Sequence, residues 1–233
     1  MTQLIVASLL FVGTHFLMSH PLRAPLVRAM GQNGFRGLYS LVALATFGWM
    51  IWALTRIGGE TIAEPPGDTA WMVATFVMWF ASILLAGSFF SNPAFPAPEA
   101  IARRDAAKAP RGVFAITRHP MMWAIALWAL VHMALWPTPS NHVFDSALLV
   151  LALGGAWGQD HKKRAQLGEA WAQWSARTSY LPFAALVSGR ARWSEMLRGL
   201  GIAFVAGTIF FFAISWAHPM WGAPRAGFWK FIG

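Results

Sequence analysis

The sequence contains no cysteine and few charged residues. The absence of cysteine excludes disulfide bonds, thiolate metal sites and cysteine nucleophiles, so any metal or cofactor must be held by other side chains. Only 12% of the 233 residues are charged, whereas soluble domains usually have about a quarter. Hydrophobic residues make up 57% of the chain. This composition indicates a protein that folds in lipid, with no length left for a separate globular domain.

Six apolar runs with few charges divide the chain, and each approaches the roughly 17–25 residues that cross a bilayer as a helix. They are Gln3–Ser19, Leu38–Thr55, Ala70–Phe90, Met121–Trp136, Val143–Gly158 and Gly199–Trp216. The runs predict an all-α, polytopic membrane bundle of about six transmembrane helices that forms one domain over residues 1–233. Asp145, near the outer end of the fifth run, is expected to reach the lipid headgroups.

The basic residues alternate between the connections. Of 18 lysines and arginines, 15 fall in the first, third and fifth connections and three elsewhere. Basic residues collect on the cytoplasmic side of membrane proteins, so the alternation predicts six spans with both termini outside. In a Gram-negative bacterium this means the inner membrane and periplasmic termini. The segment Met1–Ser19 lacks a basic residue ahead of it, which favours a retained first span over a cleaved signal peptide.

The fifth connection, residues 159–198, is the longest. It predicts an amphipathic helix from about Asp160 to Arg177 on the cytoplasmic surface. Its lysines and arginines are expected to contact anionic lipids of the bilayer. The net charge of +9 is explained by basic residues on the cytoplasmic side, and nucleic acid is not an expected partner.

Three histidines are candidates for a site, because ionisable residues within apolar spans are energetically unfavourable unless they have a function. His15 lies in the first span, His119 opens the fourth, and His132 lies further along the fourth. Such a histidine can hydrogen-bond a neighbouring helix, relay protons, or bind a metal through a neutral ring nitrogen. Two histidines on separate spans can ligate haem b between helices.

Several tryptophans lie inside the runs rather than at their ends. They are Trp49, Trp79, Trp123 and Trp128. They are expected to contact lipid or to pack within the bundle, and an alternative is that they form a wall for a flat hydrophobic small molecule.

Two groups of residues carry a resemblance to a known family. They are Phe11, His15, Leu22–Arg23, Leu26 and Gly37–Leu41 near the start, and Thr117–Pro120 with Trp123, Trp128 and His132 later. Over about residues 4–185 the chain resembles the NnrU family of bacterial inner-membrane proteins, which are associated with denitrification, chiefly nitrite and nitric oxide reduction. That family is similar to the plant 15-cis-zeta-carotene isomerases, which bind haem b through histidine and isomerise a double bond of a long polyene.

The resemblance implies specific site residues. Matched motif to motif, it gives His15 and His132 as axial ligands of the haem b iron, with His119 in the same neighbourhood. Arg118 could neutralise a haem propionate, since arginine suits bidentate pairing with carboxylates. The plant enzymes have a cysteine one turn before the second ligand, where this chain has Ala129. A thiolate switch is therefore not expected.

Depth in the membrane favours another pair. His132 is thirteen residues beyond His119 in sequence, or about 20 Å along a helix. Because the first span runs inward and the fourth outward, His15 and His119 are both expected near the cytoplasmic face. His132 is expected toward the periplasmic face. The sequence leaves both pairs open.

Two further functions are compatible with the sequence, which does not decide whether the chain is an enzyme. Residues 118–120, Asp160, and 168–171 with Trp174 and Pro182 resemble the C-terminal half of isoprenylcysteine carboxyl methyltransferases. That resemblance implies an S-adenosylmethionine pocket in which Asp160 would serve the ammonium group of the cofactor. The other alternative is non-catalytic, namely an assembly partner of a respiratory reductase.

Overall fold

The computed structural model describes residues 1–57, 61–64, 66–95 and 97–232, and this part of the chain is helical and without strands. The helices are α1 (Thr2–Ser19), α2 (Arg23–Thr55), α3 (Asp68–Gly87), α4 (Glu99–Ala107), α5 (Val113–Ile116), α6 (Pro120–Leu135), α7 (Pro139–Leu167), α8 (Glu169–Arg177), α9 (Ala184–Val187), α10 (Trp193–Ala217) and α11 (Trp229–Ile232), with a 3-10 turn at His218–Trp221. Each apolar run lies within one long helix or ends within three residues of it. The predicted all-α membrane bundle is confirmed.

The long helices differ in how well they suit a bilayer. Among the described residues, four segments are long and apolar enough to cross a membrane, namely α1, α2, α3 and α10 with its following turn. Helix α6 is apolar but has only 16 residues, and α7 has 29 residues but includes polar ones. The chain is a multi-pass membrane protein, and its fourth and fifth predicted spans correspond to one short helix and one partly polar helix.

Helix α2 begins fifteen residues before the apolar run that predicted it. Gly31 interrupts the regular helix with φ +73° and ψ 171°, a backbone conformation that glycine adopts without steric cost. The preceding turns, Arg23–Met30, are exposed or half-buried and basic. They form a short helical segment that the kink at Gly31 separates from the second apolar run.

The predicted amphipathic helix from Asp160 to Arg177 is wrong in its extent. Helix α7 continues to Leu167, because Asp160, Lys163 and Leu167 prolong the buried face of the fifth span. Gly168 then adopts a positive φ of +54°, which ends α7, and only Glu169–Arg177 forms a separate helix. The connection is therefore a helix extension followed by a turn and a short helix.

The described chain forms two compact units. The first consists of Met1–Pro66 and His132–Gly155, and the second of Gly67–Val131 and Ala156–Gly233. In the first unit, α1 packs along α2. The rings of Phe11, Phe47 and Phe144 form a chain with centroid distances of 5.2 and 6.2 Å, which links α1, α2 and α7.

In the second unit, α3 packs against α10 through small residues. A Cβ atom at Gly207 would lie 2.5 Å from the Cα of Ile83, so the two backbones approach as closely as glycine allows. Nearby, the indole N–H of Trp79 donates to the hydroxyl of Thr208 at 2.9 Å. Small residues at helix interfaces permit such close packing in membranes, where no hydrophobic force holds helices together.

Replacing Gly207 by alanine is expected to destabilise the second unit by about 1–3 kcal/mol, because the added methyl group overpacks the α3–α10 interface. Thermal unfolding of the detergent-solubilised protein, followed by circular dichroism, measures the effect. Gly201→Ala is the matched control, since a Cβ at Gly201 in the same helix meets no atom within 4 Å. Equal midpoints for the two variants would contradict the inferred contact.

Candidate functional site

A cluster of buried charged residues lies in the second compact unit. The Nε atom of Arg118 is 2.9 Å from each carboxylate oxygen of Asp160, and Nη2 of the same arginine also donates to Oδ2. The Nε2 atom of His119 lies 2.8 Å from Oδ1 of Asp160. His119 is 2% exposed and Asp160 is 8% exposed. The structure thus brings two of the predicted site residues, Arg118 and His119, onto one aspartate 41 or 42 residues away in sequence.

Backbone pairing fixes the position of this cluster. The segment after α5 is extended, and Arg118 N donates to Ser179 O at 2.9 Å while Thr117 Oγ1 donates to Tyr180 O at 2.8 Å. The indole N–H of Trp123 donates to the same Tyr180 carbonyl at 2.8 Å. Pro120 is the first residue of α6, where a backbone N–H would have no partner within the helix, so the N–H that proline lacks is not missed. These bonds hold the start of α6 against the segment that follows α8.

The electrostatics of the cluster favour a charged aspartate. Asp160 lies two residues beyond the fifth apolar run. Burial by itself raises its pKa, but the hydrogen bonds and charges of His119 and Arg118 outweigh burial and lower the pKa of Asp160 to about 2. Burial, with the negative charge of Asp160, raises the pKa of the Tyr180 hydroxyl. Asp160 is therefore an anion at any physiological pH, and it holds its two partners by charge-assisted hydrogen bonds.

This arrangement restricts what the cluster can bind. The Nε2 atom of His119 is engaged by Asp160, and Nδ1 is buried and has no hydrogen-bond partner in the described chain. Only Nδ1 of His119 is therefore without a partner, and Nε2 could bind a metal only by giving up its bond to Asp160. Both oxygens of Asp160 already accept hydrogen bonds, so an ammonium group of S-adenosylmethionine would have to share them. The guanidinium of Arg118, predicted to pair with a haem propionate, already donates to Asp160 through Nε and Nη2.

His15, in the first compact unit, has a different geometry. Its Nδ1 atom lies 2.7 Å from the carbonyl oxygen of Phe11, one turn earlier in α1. Because a carbonyl can only accept, Nδ1 carries the proton and Nε2 keeps its lone pair. The half-buried ring is packed edge-on against Phe11 at 4.4 Å and Tyr39 at 5.3 Å, and Tyr39 in turn accepts a hydrogen bond from Ser19 at 3.3 Å.

His15 therefore has the features of an axial ligand. Metal-ligating histidines usually donate their other ring N–H to a carbonyl or carboxylate, which fixes the tautomer and the orientation of the ring. His132, in the last turn of α6, belongs to the same compact unit as His15, whereas His119 belongs to the other. Among the described residues, no group of three or more His, Asp or Glu side chains could hold a metal ion. Haem supplies four nitrogens itself, so one or two histidines suffice for its iron.

Comparison with known proteins gives the family. The family model described as NnrU protein matches residues 3–225, which is nearly the whole chain. The chain belongs to the NnrU family. The matched stretch extends beyond residues 4–185, on which the sequence resemblance rested, and includes the sixth predicted span.

Two curated relatives of this NnrU protein are plant enzymes. The chloroplastic 15-cis-zeta-carotene isomerase of Zea mays is 28% identical over 231 residues, which covers 93% of this chain and 60% of the relative. The chloroplastic enzyme of the same name from Arabidopsis thaliana is 36% identical over 117 residues, covering 47% of this chain and 30% of the relative. The chain thus spans about 60% of the length of the maize relative. No solved structure matches the chain.

Other side chains of this NnrU protein serve roles that the sequence did not indicate. Four cations, three of them in the connection predicted to contact lipid, donate to backbone carbonyls of the second unit. The pairs are Arg103 to Leu167, Lys163 to Phe95, Arg177 to Ala106 and Arg190 to Thr178. Likewise Trp79 and Trp123, considered as walls of a ligand site, donate hydrogen bonds that tie helices and loops together.

Proposed function

We propose that this NnrU protein binds haem b through His15 and isomerises a double bond of a hydrophobic polyene within the bilayer. Two observations support the proposal. The similarity to the plant isomerases extends over 93% of the chain. The decisive one is the bond from Nδ1 of His15 to the Phe11 carbonyl, because it leaves Nε2 available for iron inside an apolar run. His142 and His161 make the same bond to a carbonyl four residues earlier, but they lie outside the apolar runs.

His132 is the proposed second axial ligand. It lies in the compact unit of His15, whereas His119 lies in the other unit with its Nε2 held by Asp160. The family resemblance implies the same pair. His119 and Arg118 then have a structural role, since they anchor the start of α6 through Asp160.

The residues around His15 would orient the imidazole and exclude water. The rings of Phe11 and Tyr39 pack edge-on against it, and Phe47 extends the aromatic surface toward α7. When bound, haem b supplies a redox-active iron beside this surface. Isomerisation leaves the atoms and electrons of the substrate unchanged, so it requires no co-substrate, only a bound polyene that can rotate about one bond.

The test begins with absorption spectra, oxidised and reduced, of the protein purified from cells with ample haem supply. A Soret band with a bis-histidine spectrum is expected. The haem-loaded protein in lipid nanodiscs is then incubated with a 15-cis polyene, and the isomers are separated by chromatography. A colourless protein would overturn the haem site, and a coloured protein that leaves the isomer ratio unchanged would overturn the isomerase activity alone.

We also propose that the protein lies in a bacterial inner membrane with both termini in the periplasm, because 15 of its 18 basic residues fall in alternate connections. A C-terminal alkaline phosphatase fusion is expected to be active and a C-terminal green fluorescent protein fusion dark. The reverse result would invert the topology. The link to nitrite and nitric oxide reduction, and a respiratory reductase as partner, stay predictions of the family resemblance.

A further inference from the structure

A row of side-chain contacts leads from His15 along α2 to an arginine. The ring centroid of Tyr39 lies 5.3 Å from that of His15, and the ring centroid of Phe35 lies 5.9 Å from that of Tyr39. The guanidinium carbon of Arg23 lies over the Phe35 ring, 5.5 Å from its centroid. All four residues belong to the first compact unit. Three consecutive contacts therefore join Arg23 to the proposed axial ligand.

These contacts follow one register between the two helices. Ser19 donates a hydrogen bond of 3.3 Å to the hydroxyl of Tyr39, whereas Phe11, eight residues earlier in α1, packs against Phe47, eight residues later in α2, at 5.2 Å. The helices are therefore antiparallel, and contacts spaced by multiples of four lie along one face of each. One further turn in the same direction leads to the contact of Arg23, which is thus about two helical turns, or roughly 11 Å, beyond the imidazole.

Arg23 differs from the other arginines of this unit. It is half-buried, whereas Arg28, Arg36 and Arg56 are exposed. Among the described residues, no carboxylate forms an ion pair with Arg23. Its cation lies against an aromatic ring, an attraction that uses none of the N–H donors of the guanidinium. Arg23 therefore keeps a charge and a fork of donors for an anionic group.

The described acids of this unit do not supply that anionic group. Asp145 in α7 is 2% exposed and forms no ion pair with any described residue. Its burial also shows that the predicted contact of Asp145 with the lipid headgroups is wrong. Glu64 is exposed and follows the opposite end of α2 from Arg23. An anion at Arg23 must therefore come from a bound molecule.

Two hydroxyl groups beside this row supply further donors. Ser19 and Tyr39 are both half-buried, and the hydrogen bond between them uses one of their two hydroxyl protons, so one O–H remains to donate. We refer to these two side chains as the hydroxyl pair. A guanidinium and a hydroxyl donor at one end of an apolar helical hairpin are groups that recognise a carboxylate.

We propose that Arg23 and the hydroxyl pair bind the propionates of the haem whose iron is held by His15. This inference rests on the proposed function and orients the cofactor, with its carboxylate edge toward the end of α1. Both propionates extend from one edge of the macrocycle, so the guanidinium and the hydroxyl do not have to share one carboxylate. Arg118, to which the sequence assigned this role, lies in the other unit and donates to Asp160.

The experiment titrates the full-length protein, purified in maltoside detergent from cells grown without added haem, with two probes. They are haem b and its dimethyl ester, in which both propionates are esterified, and binding is followed by growth of the Soret band. The unmodified protein is expected to bind haem b about tenfold more tightly than the ester, because a charged carboxylate accepts stronger hydrogen bonds. Arg23→Gln is expected to remove most of this preference by weakening the binding of haem b alone. Arg28→Gln, the matched control at an exposed position of the same segment, should retain the preference.

Two milder variants guard against a folding defect in Arg23→Gln. Tyr39→Phe keeps the ring against His15, removes only the oxygen atom and should lower the preference several-fold. Arg23→Lys keeps the charge and should retain part of the preference. The low-spin spectrum and the thermal midpoint should stay unchanged in both, since neither axial ligand is altered.

Several results would overturn the proposal. They are equal binding of both probes by the unmodified protein, a full preference in Arg23→Gln, and equal weakening of both probes by that variant. A titration in nanodiscs of phosphatidylglycerol tests a lipid phosphate as the anion, and a preference that disappears there would assign Arg23 to lipid. Failure of the proposed function is distinguishable, because then neither probe produces a bis-histidine spectrum.

Discussion

Replacing His15 by alanine is expected to lower the Soret absorbance several-fold in the protein purified with ample haem, and to leave the remaining haem high-spin. The physical reason is that the bond from Nδ1 to Phe11 O presents Nε2 as the lone-pair donor, and alanine offers the iron nothing in its place. Loss of this ligand leaves the proposed second ligand, His132, and the contacts of the macrocycle to hold the haem. The measurement is the ratio of Soret to protein absorbance after gel filtration, with thermal unfolding to show that the bundle still folds.

Two other histidine variants serve as matched controls. His119→Ala also removes one imidazole, but this imidazole is bonded to Asp160, so the haem content is expected to stay unchanged. His132→Ala is expected to convert a six-coordinate, low-spin spectrum into a high-spin one. If His119→Ala produces the high-spin spectrum while His132→Ala does not, the second ligand is His119 and the pairing by depth is correct.

Replacing Asp160 by alanine is expected to destabilise the second compact unit by about 3–5 kcal/mol, because it leaves the Arg118 guanidinium, whose side chain is only 14% exposed, without its counter-charge. His119 also loses its Nε2 partner. Chemical denaturation in detergent, followed by tryptophan fluorescence, measures the loss. Asp160→Asn is the matched control: it keeps the shape and one acceptor and should lose less. Equal stability of Asp160→Ala and the unmodified protein would show that the cluster adds nothing to the fold.

The same aspartate predicts a pH dependence with a definite sign. Its pKa is lowered from the ordinary 3.8 to about 2 in the folded protein, so the folded state binds the proton less readily than the unfolded state. The stabilisation is therefore fully present above about pH 4 and is lost as the pH falls toward 2. Asp160→Asn should lack this part of the acid transition. An identical acid profile in both proteins would contradict the lowered pKa.

The spans were predictable because they depend on composition and local periodicity. Each apolar run became a helix, since the backbone in lipid must satisfy its own hydrogen bonds. The ends were less predictable, as the continuation of α7 to Leu167 illustrates. There the helix continues because Lys163 and Leu167 find buried partners in distant segments, which local sequence does not encode.

The histidines were likewise identifiable from sequence, but their roles were not. An imidazole in an apolar span indicates a site even when the residues that contact it are unknown. Tertiary packing alone separated His119 from His15, because it placed an aspartate 41 residues away against one ring and only a carbonyl of the preceding turn against the other. Asp145 shows the same limit, since burial on a neighbouring helix decides whether a carboxyl meets headgroups or protein interior.

By itself the amino-acid sequence determined that this protein is a helical membrane bundle, where its apolar runs lie, and which residue types could hold a cofactor. Those properties follow from the transfer of apolar side chains into lipid and from backbone hydrogen bonding within each helix, both of which are local. Which polar groups are neutralised, and which keep an atom without a partner, depends on contacts between residues far apart in the chain. Only the tertiary structure decided these, because hydrogen bonds and charge pairs act over a few ångströms and the fold sets those distances.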